Sequence, residues 1–203
     1  MTWKQKTVDT YNKSAKELAE YFRGIGSRKG DIQRAIELSD ATENPVILEI
    51  GCGDGRDAKE VVKFTDNYKG FDISEELIKL ANEHVPTGEF EVADAVGYNF
   101  QKGLDIVLAF ASLLHLDKNE VKDVLDKAHE ARNPGGVFFI SLKYRPSYQE
   151  EVKKDKFGER MFYYYNPDFI KGLAGENYEV VYKDGGFITT GNTEWFEVGL
   201  KKL

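Results

Sequence analysis

A single cysteine, Cys52, stands among 203 residues, so no disulfide forms within the chain and a reducing, cytoplasmic setting is expected. Proline occurs only five times, and neither an internal repeat nor a low-complexity linker divides the chain. No apolar run has the length of a membrane span, and the opening Met1-Thr2-Trp3-Lys4-Gln5-Lys6 lacks the apolar core of a signal peptide. A membrane is therefore not an expected partner. Histidine is scarce. His84, His115 and His129 lie too far apart for zinc-like ligand spacing, so no metal is expected. Basic residues are outnumbered 28 to 35, and the net charge of −7 opposes tight binding to a long polyanion such as nucleic acid. What is present is ordinary for a globular domain: 41% apolar and 31% charged residues, at a length that supports one substantial core.

The most informative stretch is Val46-Ile47-Leu48-Glu49-Ile50-Gly51-Cys52-Gly53-Asp54-Gly55-Arg56. A short apolar run of this kind reads as a strand buried on both faces of a parallel sheet. Glycines just after such a strand let the backbone turn sharply and approach a nucleotide-like ligand. A dinucleotide site wants Gly-x-Gly-x-x-Gly or a close variant, and Arg56 occupies the place of its third small residue. The spacing therefore points away from a nicotinamide cofactor and towards another adenosine ligand.

Downstream segments follow in a regular order. Tyr68 to Ser74 looks like a second strand with Asp72, 21 positions after Gly51, at its end, and Val92-Ala93-Asp94-Ala95 looks like a third strand and its acid. Leu104 to His115 carries a fourth strand and the loop after it, and Asn133 to Ile140 a turn and a fifth. From about Pro45 to Lys143 these motifs resemble the class I S-adenosylmethionine-dependent methyltransferases. The resemblance implies an α/β, doubly wound, Rossmann-like sheet of seven strands, the last antiparallel, with helices on both faces. It also implies a single domain over residues 1–203, comprising an N-terminal helical lid (1–40), a cofactor-binding core (45–143), and an acceptor-side segment with C-terminal strands (144–203).

Local patterns fill in the elements. Val8, Tyr11, Ala15, Leu18, Ala19 and Phe22 share one face of a first helix closed by Gly24-Ile25-Gly26, and a second helix is expected from Asp31 to Ser39. Ser74 caps a helix rich in early acid, and Asp117 with Glu120 forms a capping-box-like start for another. Residues 144–165 are aromatic and charged without a clean period. Asn166-Pro167 opens a short helix, and two strands joined by a long hairpin, Tyr178 to Tyr182 and Thr193 to Leu200, end the fold.

Site residues follow from the resemblance. S-adenosylmethionine is the implied cofactor and S-adenosylhomocysteine the product. Gly51, Cys52, Gly53 and Gly55 would line the amino acid end and ribose, with Glu49 and Asp57 as nearby acids and Glu49 on the ammonium side. Cys52 itself reads as a buried small hydrophobe rather than a nucleophile. Asp72 would accept from the ribose hydroxyls and Ile73 would cover an adenine face. Asp94 would meet the adenine amine and the Ala95 amide a ring nitrogen, while Ala109 and Phe110 end the fourth strand on the cofactor side. Tyr11 is placed in the lid, beside Tyr21. His115 is the candidate catalytic base, and a packed loop histidine that shapes the pocket is an equal alternative. His84 and His129 read as structural, late in their helices. Lys143, Tyr144, Arg145, Arg160 and Phe162 to Tyr165 flank the expected acceptor pocket.

The function expected is methyl transfer to an O, N or S atom of a small molecule by a monomer or homodimer. RNA or protein methylation is the alternative within enzymes, although Ala109-Phe110-Ala111-Ser112 stands where base-amine enzymes carry Asn/Asp-Pro-Pro-Tyr. A non-catalytic S-adenosylmethionine-binding module and a nicotinamide-dependent oxidoreductase are the other classes considered.

Overall fold

The computed structural model describes residues 1–189 and 193–203. Its centre is strand β1 (Ile47–Ile50), buried at every position. β1 pairs in parallel with β2 (Tyr68–Asp72) on one side and with β4 (Leu104–Phe110) on the other. β3 (Glu89–Val92) adds beyond β2, and β5 (Arg132–Lys143) beyond β4, also in parallel. β9 (Thr193–Lys202) returns antiparallel against β5, and β8 (Tyr178–Thr189) antiparallel against β9. The sheet order β3-β2-β1-β4-β5-β9-β8 is the doubly wound arrangement expected, with the last strand antiparallel. The chain reverses its direction of spread between β1 and β4. In such sheets the crevice at that switch point, beyond the carboxyl ends of the strands, receives the ligand.

Both faces are covered by helices. The side chains of β4 alternate between two cores. Ile106 and Leu108 meet Ile32 and Ala35 of α3 (Lys29–Leu38) and Ala58 and Val61 of the short α4 (Ala58–Val61). Val107 and Ala109 face the opposite cluster, with Val121, Val124 and Leu125 of α6 (Lys118–Ala131) and Ile170 of α7 (Pro167–Ala174). α5 (Glu75–His84) follows β2 and is capped by the Ser74 hydroxyl, which accepts from the Leu77 amide at 3.3 Å. Asp117 and Glu120 form the full capping box of α6, and the Asn166 side chain caps α7.

Two expectations change. The single N-terminal helix is two, α1 (Trp3–Lys13) and α2 (Ala15–Ile25), broken at Ser14 with φ −111° and ψ 19°. The aperiodic stretch 144–165 contains a hairpin, β6 (Gln149–Asp155) and β7 (Gly158–Tyr164). One fact explains both. α1 lies along the β7 edge: the Thr7 hydroxyl accepts from the Met161 amide at 3.1 Å, and Thr10 donates to the Glu159 carbonyl at 2.9 Å. Ser14 donates to the Phe157 carbonyl at 2.9 Å. The apolar period runs on through the break, so the sequence does not mark it. β7 does alternate, with Arg160, Phe162 and Tyr164 buried, but a charged residue in the inward set masks the period. The tip of the expected C-terminal hairpin, residues 190–192, lies outside the described residues.

The end of β1 meets the end of β4 at close range. Gly51 has φ +72°, and a Cβ there would overlap Ser112. Gly51→Ala is expected to destabilise the protein by about 2–4 kcal/mol in urea unfolding, from overpacking plus left-handed strain. Adding Ser112→Gly should return part of that loss, and the absence of any rescue would mean that the overlap is not the cause.

Candidate active site

A cavity of about 1150 Å³ opens at the switch point. β1, β2 and β4 supply its floor through Gly51, Gly53, Asp72, Phe110 and Ser112. Lys4, Thr7, Val8 and Tyr11 of α1 and Val152, Arg160 and Phe162 of the hairpin lie on its other walls.

The glycines divide their work. Gly51 is required by Ser112, and Gly55 by α5, since a Cβ there would come within 3.3 Å of Ala81 and Val85. Gly55 does not border the cavity, which corrects its expected cofactor role: it serves packing between loop and helix. Gly53 has φ +56° and open space where a Cβ would point. Its amide donates to Asp72 Oδ2 at 3.0 Å, while Asp72 Oδ1 accepts from the Ser74 amide at 2.8 Å. Burial pushes the Asp72 carboxyl up against the pull of those amides. Ile73 and Ala95 line the same cavity. Ala109 does not: it is fully buried and turns into the core, because alternation along β4 sends it away from the neighbours of Phe110.

The acids have partners of their own. Glu49 is buried and accepts from the Tyr68 hydroxyl at 2.6 Å. Burial, with the Asp57 carboxylate as the next cause, raises its pKa to about 8. Asp57 accepts from the Arg28 amide at 2.8 Å and pairs with Arg56. The departure from a dinucleotide pattern at Arg56 thus has a local use. Asp94 accepts from the Val96 amide at 3.1 Å and pairs with Lys4 at 2.6 Å. The Cys52 thiol lies against Gly70, and burial holds its pKa well above the ordinary value, so it stays protonated.

Tyr11 and His115, 104 positions apart, meet in the cavity wall. The His115 Nδ1 lies 2.6 Å from the Met161 carbonyl, which must accept, so Nδ1 carries the proton and Nε2 is left as acceptor. The Tyr11 hydroxyl then donates to Nε2 at 2.8 Å. Burial, followed by the Arg160 and Lys143 cations, lowers the His115 pKa to about 3. Tyr21 also borders the cavity, against Phe157. Of the hairpin-side residues, Lys143, Arg160 and Phe162 line it, whereas Tyr144, Arg145, Tyr163, Tyr164 and Tyr165 do not. His84 sits between Arg23 and the Asp54 carbonyl, and His129 packs edge-on against Tyr178.

Several lining groups carried no sequence signal. Arg28 reaches Ser141 Oγ at 3.0 Å and Glu197 at 3.6 Å, and its guanidinium lies between the Phe110 and Trp195 rings. Ser112 Oγ is buried without a hydrogen-bond partner among the described residues. No group of three or more His, Cys, Asp or Glu side chains suited to a metal occurs among the described residues. No helix there is long and apolar enough to cross a membrane.

Comparison with known proteins agrees with the fold. Residues 47–136 match the family described as methyltransferase domain. That match and the solved neighbours below support a class I S-adenosylmethionine-dependent methyltransferase. It is 29% identical over 114 residues to a ubiquinone biosynthesis O-methyltransferase of Hydrogenovibrio crunogenus, a match covering 53% of this chain and 46% of that one. It therefore spans about half the length of that relative. A methyltransferase of Leishmania major superposes with a TM-score of 0.79 at 14% identity, over 98% of this chain and 83% of that one. The glycopeptide N-methyltransferase MtfA, solved with S-adenosylmethionine, gives 0.67 at 13% identity, covering 88% of this chain and 95% of that one.

S-adenosylmethionine, the cofactor these methyltransferases imply, fits the groups present. Gly53 offers open space where a Cβ would stand, and the orphaned Ser112 hydroxyl borders the same loop. Carboxylates at Glu49, Asp72 and Asp94 match its ammonium, ribose and adenine amine in chemistry.

The raised pKa of Glu49 has a testable sign. A carboxyl at about 4.3 unfolded and about 8 folded binds more protons in the native state, so stability falls as pH rises across that window. Glu49→Gln keeps an oxygen for Tyr68 and cannot ionise. In thermal melts of the ligand-free protein, Glu49→Gln should gain on the wild type between pH 5 and 9. A constant difference across that range would refute the buried-proton assignment.

Proposed function

We propose that this chain transfers the methyl group of S-adenosylmethionine to an O, N or S atom of a small molecule. The observation that supports a small acceptor is the roof of the cavity. α1 and the β6–β7 hairpin close over the strand ends and are joined by hydrogen bonds, one accepted by Thr7 from the Met161 amide and one donated by Thr10 to the Glu159 carbonyl. A metabolite fits in such a space, whereas a nucleic acid or protein segment needs an open groove.

The cofactor supplies an activated methyl group as a sulfonium. The residues then have to bind, orient and exclude water, since an in-line displacement gains most from a close, aligned acceptor. Asp72, fixed by the Gly53 and Ser74 amides, presents its remaining lone pairs to the ribose hydroxyls. Residues 1–40 act as the lid and residues 144–165 as the acceptor wall. His115, with its protonated Nδ1 on Met161, is a positioning residue: its Nε2 holds the Tyr11 hydroxyl in the wall between itself and Arg160. A pKa of about 3 makes it a weak base, and of the two sequence readings the pocket-shaping one is favoured.

Calorimetric titration with S-adenosylhomocysteine should give saturable one-site binding, weakened about tenfold to a hundredfold in Asp72→Ala, the worth of hydrogen bonds to a carboxylate. No binding by the wild type would overturn the reading. With a turned-over acceptor, kcat/KM between pH 5 and 8 should lack an ionisation that disappears in His115→Asn. Such a limb near 6.5 would restore His115 as the general base.

A further inference from the structure

A chain of net charge −7 gathers Lys143, Lys153, Lys154, Lys156 and Arg160 around the hairpin end of its cavity, with Glu151 and Asp155 among them. Much of this charge is balanced locally: Lys153 lies 3.7 Å from Glu151, and Lys154 lies 3.6 Å from Glu159. Two cations are different. Arg160 is buried, pairs with Asp155 through Nη2 and reaches the Tyr11 oxygen at 3.4 Å through Nη1, but its Nε has no hydrogen-bond partner among the described residues. Lys143 Nζ has neither a hydrogen bond nor an ion pair among the described residues. It sits 3.8 Å over the Phe162 ring and 5.9 Å from that of Trp195. The Arg160 guanidinium approaches the Phe162 and Tyr11 rings at 5.4 Å each.

A partly desolvated ammonium without an anion is costly, and ring faces offset only part of that cost. The groups acting on Lys143 from the packed elements are Lys153 and Arg160, which repel its charge, and Asp155 and Glu151, which favour it. Burial is the largest influence, and the Lys143 pKa falls to about 8. Lys156 also lacks an ion pair among the described residues, but it is exposed and rests over the Tyr21 and Phe157 rings. Because Asp155 already balances Arg160, the one uncompensated charge that is largely buried at this end is that of Lys143. A monoanion with a flat body answers both the charge and the rings. A phosphate dianion carries more charge than the site needs.

We propose that the methyl acceptor is a small planar carboxylic acid, its carboxylate met by Lys143 and the free Nε of Arg160 and its ring set among Phe162, Trp195 and Tyr11. This rests on the methyltransferase reading of the same cavity, so the test separates the two. The protein is first saturated with S-adenosylhomocysteine, then titrated at pH 7 with 4-hydroxybenzoate, 4-hydroxybenzamide and phenyl phosphate. The acid should bind at least about tenfold more tightly than its amide and more tightly than the phosphate, the scale of one charge-assisted hydrogen bond. Lys143→Met should abolish that preference while S-adenosylhomocysteine still binds, and Lys143→Arg should keep part of it. Failure of S-adenosylhomocysteine to bind would sink the methyltransferase reading. Three results with the cofactor product bound would each overturn the carboxylate proposal alone: equal binding of acid and amide, no binding of either, or a stronger phosphate. A preference that survives Lys143→Met would do the same.

Discussion

The approach of Gly51 to Ser112 is the constraint on which the site depends. β1 and β4 are adjacent, yet the chain leaves them in opposite directions, and their exit loops must part without drifting away from the sheet. A missing side chain on one loop and a small one on the other let the two backbones touch before they diverge. Ala111, next to Ser112, takes φ +55°, uncommon for a residue with a side chain, and its amide is held by the Ser141 carbonyl at 2.9 Å. The strain sits where β4 hands the chain to the cavity, and the neighbouring strand holds it in place.

Around that hinge the electrostatics are divided by depth. Carboxyls gather beneath the glycine loop, where burial favours their neutral forms at Glu49 and Asp72. Cations gather beneath the hairpin, where burial and mutual repulsion disfavour charge on Lys143 and His115. A cationic cofactor at the first end would favour the ionised carboxylates, and an anion at the second would favour the charged Lys143, each drawing out the sign that burial suppresses. The low dielectric between makes that separation count for more than it would at a surface.

The core of the fold was legible because its signals are local. Continuous apolar strands, glycines after β1, Ser74 and Asp117 at helix starts and Asn166-Pro167 at another act within a few residues of themselves. The break at Ser14 was not legible, since its cause, the Phe157 carbonyl, lies 143 positions away. The site divides in the same way. Asp72 and Gly53 line the cavity, where motif spacing put them. Ala109 and Gly55 do not line it, because a motif says which residues are near a site, not which way each one points. The Tyr11–His115 pair and the Arg28 cluster are products of tertiary packing alone.

The fastening of α1 to β7 bears on how the protein is made. Thr7 waits for Met161, which is 154 positions downstream, and Thr10 for Glu159. α1 therefore has no seat until the hairpin has been translated, whereas β1, β2 and β4 pair over shorter separations. Contacts this distant carry a large loop-closure entropy and form late. During synthesis the parallel sheet assembles before its cover, and its crevice stays open to solvent until the hairpin has been translated.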